Sequence, residues 1–406
     1  MEPSSLKVAI SRWENGHFKP DRVHSRLLAQ VLSLPYAGDP LEQGHEFQRE
    51  ATSAVILMDA LVERDHNDDS SLLTGDVISS STASQVVTGY LFGQSSAFTP
   101  VAPLFGVAIA DQIRGTVASM MSMDFQKGGG HVRQVLMRYF RNDVVPQLHA
   151  VYPGLARREI FSAAAEVAQL LGWSAYDAGR HSAASRYFVQ GLRLAQEAGD
   201  HLMGARLLAN LSHQANFVGR YQDAVMYARA AQSALRGHGT PMVETMCVMM
   251  EARGLASLSD QRGAASAIHR AEQIFERRKG DEPSWISYYD AAELAGDASH
   301  CFRDLQLAPQ TRTSIQAALT DDTPPRTRAF IQVVAGDAAL IAGDLEEAGA
   351  LAAAAIINGD GLQSARYLRY LGDFYRRLPV RGERHPALAE FVELIRVHHP
   401  AVVALR

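Results

Sequence analysis

Cysteine is nearly missing from this chain: Cys247 and Cys301 are the only two in 406 residues. At that separation they suggest neither a disulfide framework nor a zinc site. A reducing cytoplasm is the expected setting, with both thiols buried as small apolar side chains. Long apolar runs are missing too. The longest, near 54–62 and 101–110, hold about ten residues where a membrane-crossing helix needs about 20, and no apolar segment opens the chain as a secretory signal would. The sequence therefore predicts a soluble, cytoplasmic protein with no membrane partner. An excess of basic charge is also absent. The net charge is −5, which excludes a nucleic-acid coat protein and confines any DNA contact to one small face. Fifteen histidines invite a search for chemistry, but His-Glu-x-x-His, Cys-x-x-Cys and Gly-x-Ser-x-Gly do not occur. Lys127-Gly128-Gly129-Gly130 carries its lysine before the glycines, whereas a phosphate-binding loop carries it after them, so a plain turn between helices is expected. These gaps point away from an enzyme and predict no cofactor and no metal. Apolar residues make up 47 %, enough for sizeable cores in roughly two or three domains.

The first forty residues read as helix, turn, helix. Ser4 or Ser5 can cap a helix running to Asn15, and Gly16 supplies a left-handed stop. Pro20 suits the first position of the next helix, where a missing N–H is not felt. Val23, Leu27, Leu28, Val31 and Leu32 then give that helix one apolar face, and Pro35 ends it. Lys7, Arg12, Lys19, Arg22 and Arg26 outnumber Glu2, Glu14 and Asp21, so this segment is locally basic. Spacing alone predicts a helical hairpin. The heptapeptide Ile10-Ser11-Arg12-Trp13-Glu14-Asn15-Gly16 says more: it resembles the recognition helix of Xre/Cro-like helix-turn-helix repressors. The resemblance implies that Lys7, Val8 and Arg12 face base edges, where Arg and Lys can donate to guanine. It also implies that Ser11 and Asn15 sit near phosphates. Only nine residues precede Ile10, fewer than the two upstream helices of that family's module need, so residues 1–40 are expected to hold a partial helix-turn-helix. An upstream start would supply the rest.

Residues 41–104 read as a connector. Phe47, Ala51, Val55, Met58, Leu61 and Val62 mark an amphipathic helix, and the polar, serine-rich stretch 67–84 is expected to be a mobile linker. Helix returns at about Ile109–Met123, is expected to break between Asp124 and Gly130, and resumes over 131–145.

From about residue 156 the sequence repeats itself. Ala168, Leu171, Gly172, Gly179, Ala184, Phe188 and Leu192 are echoed by Leu208, Leu211, Ser212, Gly219, Ala224, Ala228 and Leu235. A weaker copy passes through Arg253, Asp260 and Ala265, and a degenerate one runs from Trp285 to Leu319. A clear copy holds Ala335, Gly336, Gly343, Ala348, Ala352 and Ile356, and helices at 364–378 and 386–397 would cap the stack. The pattern is similar to the tetratricopeptide repeat, with a period nearer 40 than 34 residues. Each such pair buries its apolar face only against its neighbours, and Gly172 with Ala184 is expected to provide the close contact between helices. The expected fold is therefore all-α: a partial helix-turn-helix segment followed, over 105–406, by a helical block and a tetratricopeptide-like α-solenoid. Groove positions carried over from that repeat are Gln169, Trp173, Tyr176 and Asp177 in the first copy and Arg206, His213, Asn216 and Phe217 in the second. Together they mix aromatic and hydrogen-bonding groups, which suits a ligand surface.

Further stretches carry the resemblance along the chain: Gly128-Gly129-Gly130-His131, Tyr139 with Asp143 and Pro146, Ala175-Tyr176-Asp177, Arg186-Tyr187-Phe188, and Ser364-Ala365-Arg366 before Tyr370-Leu371. As a set they look like actinobacterial Xre-type regulators with a tetratricopeptide-like C-terminal region. That family implies a transcription regulator that binds operator DNA as a homodimer and responds to a peptide or small-molecule effector. A peptide-binding scaffold that no longer binds DNA is the alternative.

Overall fold

The computed structural model describes residues 51–69, 72, 77–93, 105–152, 154–378 and 385–403, and every regular element among them is helical. Two compact units divide the chain, 1–48 and 49–406; the described residues all belong to the second. Lys7, Val8, Ser11, Arg12 and Asn15 lie outside the described residues. Among these residues no helix is long and apolar enough to cross a membrane.

Among the described residues five helices precede the repeats: α1 (Ala51–His66), α2 (Ser80–Phe92), α3 (Phe105–Lys127), α4 (Gly129–Tyr139) and, after a π-helical turn over Phe140–Val144, α5 (Val145–His149). The serine-rich stretch does not stay a linker throughout. Ser79 caps α2, its hydroxyl accepting from the Thr82 N–H at 3.2 Å, and Ala83, Val86 and Tyr90 are buried at helical spacing. Composition signalled mobility here, but a serine before an apolar stripe is also a helix start. Ser80 donates to Asp223 at 2.9 Å, which fastens α2 to the array. Helix α3 likewise continues past Asp124 to Lys127.

The rest of the chain forms successive helix pairs: α6 (Gly154–Asp177) with α7 (His181–Ala198), α8 (His201–Phe217) with α9 (Tyr221–Ala234), and α10 (Pro241–Ser257) with α11 (Gln261–Phe275). There follow α12 (Ala291–Asp304) with α13 (Ala308–Ala318), α14 (Pro325–Ala342) with α15 (Leu345–Asn358), and α16 (Ala365–Arg377) with α17 (Ala389–His398). A last short turn, α18, spans Pro400–Val403. The first helix of each pair packs on the first helix of the next. A residue of positive φ turns each of the first five pairs: Gly179, Gly219, Ser259, Gln306 and Gly343. Serine and glutamine occupy the left-handed position in the two copies whose sequence pattern is weakest, at a cost of about 1–2 kcal/mol each. Small residues let helices approach closely. A Cβ on Gly172 would lie 2.4 Å from the Phe188 ring, and one on Gly191 would lie 3.0 Å from Ala168 Cβ.

The array comes round on itself. Helix α3 packs on both α6 and α14, and α16 reaches α6. The seam runs through the three glycines. The Gly130 N–H donates to Gln363 O at 3.3 Å and the Gln363 N–H to Lys127 O at 3.1 Å. A Cβ on Gly129 would sit 2.7 Å from the Ser174 backbone, so only glycine lets the chain pass there. The triplet is thus a clasp between distant parts of the array as well as a turn.

Candidate functional site

Because the first helix of every pair faces inward, the ring surrounds a cavity with about 140 Å3 of room for the centres of water-sized molecules. Among the described residues seven helices wall it: α3, α6, α8, α10, α12, α14 and α16. The inward face of each is where polar side chains interrupt the apolar pattern. Gln169 and Trp173 come from α6, Arg206, Asn210 and His213 from α8, Arg253 from α10, and Glu293, Asp297 and His300 from α12; Arg326 and Phe330 come from α14 and Arg366 and Tyr370 from α16.

A hydrogen-bonded chain crosses four pairs along this wall. Tyr176 OH lies 2.9 Å from His213 Nδ1, and Arg253 Nη1 lies 3.2 Å from His213 Nε2. Arginine can only donate, so Nε2 accepts and the Nδ1–H donates to the tyrosine oxygen. Burial, with Arg253 and Arg366 nearby, holds His213 well below the usual histidine range and keeps this tautomer neutral. Arg253 Nη1 then donates to Asp297 Oδ1 at 2.8 Å, and Tyr289 OH donates to Asp297 Oδ2 at 2.8 Å. Beside this chain, Gln169 Nε2 donates to Asn210 Oδ1 at 2.8 Å.

The seam forms one end of the cavity. Asp177 is fully buried. Its Oδ1 accepts from Arg326 at 2.8 Å and Ser364 at 2.9 Å, and Arg366 Nε is 3.4 Å away; its Oδ2 accepts from the Gly129 N–H at 3.0 Å. Burial would raise this carboxyl, but Arg326, Arg366 and the two hydrogen bonds hold it below the ordinary aspartate value. Asp124, also buried, has no partner for Oδ1. Burial pushes it up to about 6, against the opposing pull of Arg326. Burial, Asp297 and Asp290 push Glu293 up to about 7. The Arg366 guanidinium lies 4.9 to 5.1 Å from the centres of the Phe330, Trp173 and Tyr176 rings.

The carried-over groove residues therefore separate into three groups. Gln169, Trp173, Arg206 and His213 line the cavity. His213, Asn216 and Phe217 line an adjoining polar cleft with Arg303, Asp337, Arg369 and Arg377. Tyr176 and Asp177 do not present themselves to a ligand: both are fully buried, the first against His213 and the second among the arginines of the seam. Sequence reasoning did not find the contributions of α3, α10, α12, α14 and α16. Of these, Ser364-Ala365-Arg366 and Tyr370 stood out as a motif, but nothing local marked their approach to α6. Neither cysteine offers a nucleophile, since both are buried and burial pushes both thiols up. No cluster of three or more His, Cys, Asp or Glu able to hold a metal occurs among the described residues. Compared with models of known protein families the chain matches none, and compared with curated proteins it also finds no match.

Proposed function

We propose that this chain is a cytoplasmic, effector-responsive transcription regulator. In this reading residues 154–403 are a tetratricopeptide-like α-solenoid wound tightly enough to close, and its cavity holds a small-molecule effector. The carrying observation is that the first helix of every pair contributes to one cavity wall, so a single bound molecule touches every repeat. With α3 packed on both α6 and α14, the cavity favours a compact effector over an extended peptide. A ligand that prefers one curvature of the array shifts the population of that curvature, and in a homodimer this alters the spacing of two DNA readers. The DNA-reading half of the proposal rests on the Ile10–Gly16 heptapeptide and its basic surroundings.

The test is selection of random duplexes by the full chain, with Arg12→Ala alongside. The proposal expects a two-fold symmetric sequence to be enriched by the parent chain and weakened by Arg12→Ala, with unchanged circular dichroism. No enrichment at all would leave the ligand-binding array without a DNA function.

A further inference from the structure

Among the described residues that line the cavity, Arg206 is the arginine without a carboxylate at ion-pair distance. Arg253 has Asp297 at 2.8 Å, and Arg326 has Asp177 at 2.8 Å, with Arg366 at 3.4 Å from the same carboxylate. Arg206 is different. It is 4 % exposed and lines the cavity. Its Nε has no hydrogen-bond partner, and its Nη2 reaches only the Met121 sulfur at 3.6 Å. One face of the guanidinium rests 4.6 Å from the centre of the Trp285 ring. Glu166 acts on it through its field, but that carboxylate accepts from Arg114 at 3.0 Å. A buried ion without its counter-charge is strongly disfavoured, and a guanidinium presents a planar fork that matches a carboxylate.

We propose that the cavity binds a small aromatic carboxylate, its acidic group on the Arg206 fork and its flat body against Phe125, Tyr288 and Trp173. A single guanidinium fork calls for a single carboxylate. The body is assigned by the rings: Phe125 and Tyr288 stand 5.4 Å apart on the wall, and Trp173 lines the same space. This inference deepens the effector-binding reading and rests on it.

The experiment is calorimetric titration of the full chain with 2-naphthoate, 2-naphthamide, 2-naphthylmethylamine and 2-naphthyl phosphate, together with the melting temperature in each. The carboxylate is expected to bind and raise the melting temperature, while the amide binds about tenfold to a hundredfold more weakly, as loss of a charge-assisted hydrogen bond predicts. Arg206→Met is expected to abolish that preference. Should this variant not fold, the carboxylate-to-amide ratio on the parent chain still decides. Equal binding of carboxylate and amide would overturn the anion assignment and leave the cavity as an effector site. A stronger phosphate, or a stronger amine, would overturn it in favour of a dianion or a cation. If none of the four binds, the aromatic occupant is overturned as well. Competition of the cavity reading itself is judged separately, by whether a bulky change inside it, Ala209→Trp, weakens every probe that binds.

Discussion

Two buried aspartates join distant parts of this molecule, and they do so differently. Asp65, from α1, is fully buried and accepts from Arg180 at 2.6 Å and from Tyr187 at 3.0 Å, with Arg133 at 2.9 Å. Asp177 is equally buried and also gathers two arginines. At the Asp65 joint the arginines have further anions: Arg180 also reaches Asp68 at 3.0 Å, and Arg133 lies 3.7 Å from it. At the Asp177 seam, Arg326 and Arg366 each keep an unbonded Nε, both line the cavity, and Asp124 waits there with an unpaired oxygen. At the first joint both arginines have a second carboxylate. The other is under-bonded and opens onto the space where a ligand would lie. The comparison teaches that a shared constellation, a carboxylate between two arginines, acts as a rivet when nothing else can approach it, and as an exchangeable contact when a cavity adjoins it.

Mutation of Asp65 should have the largest effect. Asp65→Ala leaves the buried Arg133 and Arg180 only the exposed Asp68 and takes the acceptor from the buried Tyr187 hydroxyl, and the expected loss is about 3–5 kcal/mol, read from the urea midpoint. Asp177→Ala is expected to cost less, about 1–3 kcal/mol, because its arginines can turn into the cavity. Hydrogen exchange should speed up at the Gly130 and Gln363 amides. An equal loss at both sites would erase the distinction. Gly129→Val comes next: its Cβ would press on the Ser174 backbone, with an expected cost of about 1–3 kcal/mol from overpacking and the same local exchange signature.

The smallest effect concerns pH. Asp124 has its folded pKa raised from 3.8 to about 6, so the folded chain holds this proton more tightly than the unfolded chain does. The stability it contributes is present below 3.8 and is lost as pH rises through about 6. The histidines oppose this. His213 and His300 are held well below 6.5 and His181 is held at about 4, so their contribution is lost as pH falls below 6.5. Asp124→Asn isolates the acid. The stability difference between variant and parent should shift toward the variant as pH rises from about 4 to 6, measured by chemical denaturation at each pH. A difference independent of pH would show that folding leaves the affinity of Asp124 for its proton unchanged.

Much of the architecture was legible along the chain. The glycines Gly179, Gly219 and Gly343 marked turns because a left-handed residue reverses a helix most easily when it has no side chain. Buried small residues such as Ala168, Ala224 and Ala348 marked close packing. The degenerate pair α12–α13 was harder to read, since Gln306 fills its left-handed position and only the surrounding packing keeps it there. The site was half legible. Gln169, Trp173, Arg206 and His213 follow from one repeat frame, but Tyr176 and Asp177 share that frame and point into protein. Frame position alone does not reveal that α16 returns to cover them. Likewise Ser79–Thr82 looked like a linker until Ala83, Val86 and Tyr90 were seen to pack.

What the sequence determined by itself is local and periodic: helices where apolar residues recur at helical spacing, turns where glycine permits them, and a count of cations and anions. Tertiary structure alone decided that the array closes, because closure depends on the small rotation between successive pairs, a sum of packing details that no single motif encodes. That closure brings residues 129, 177, 326 and 366 to one seam and leaves Arg206 facing a shared interior with no carboxylate at ion-pair distance among the described residues.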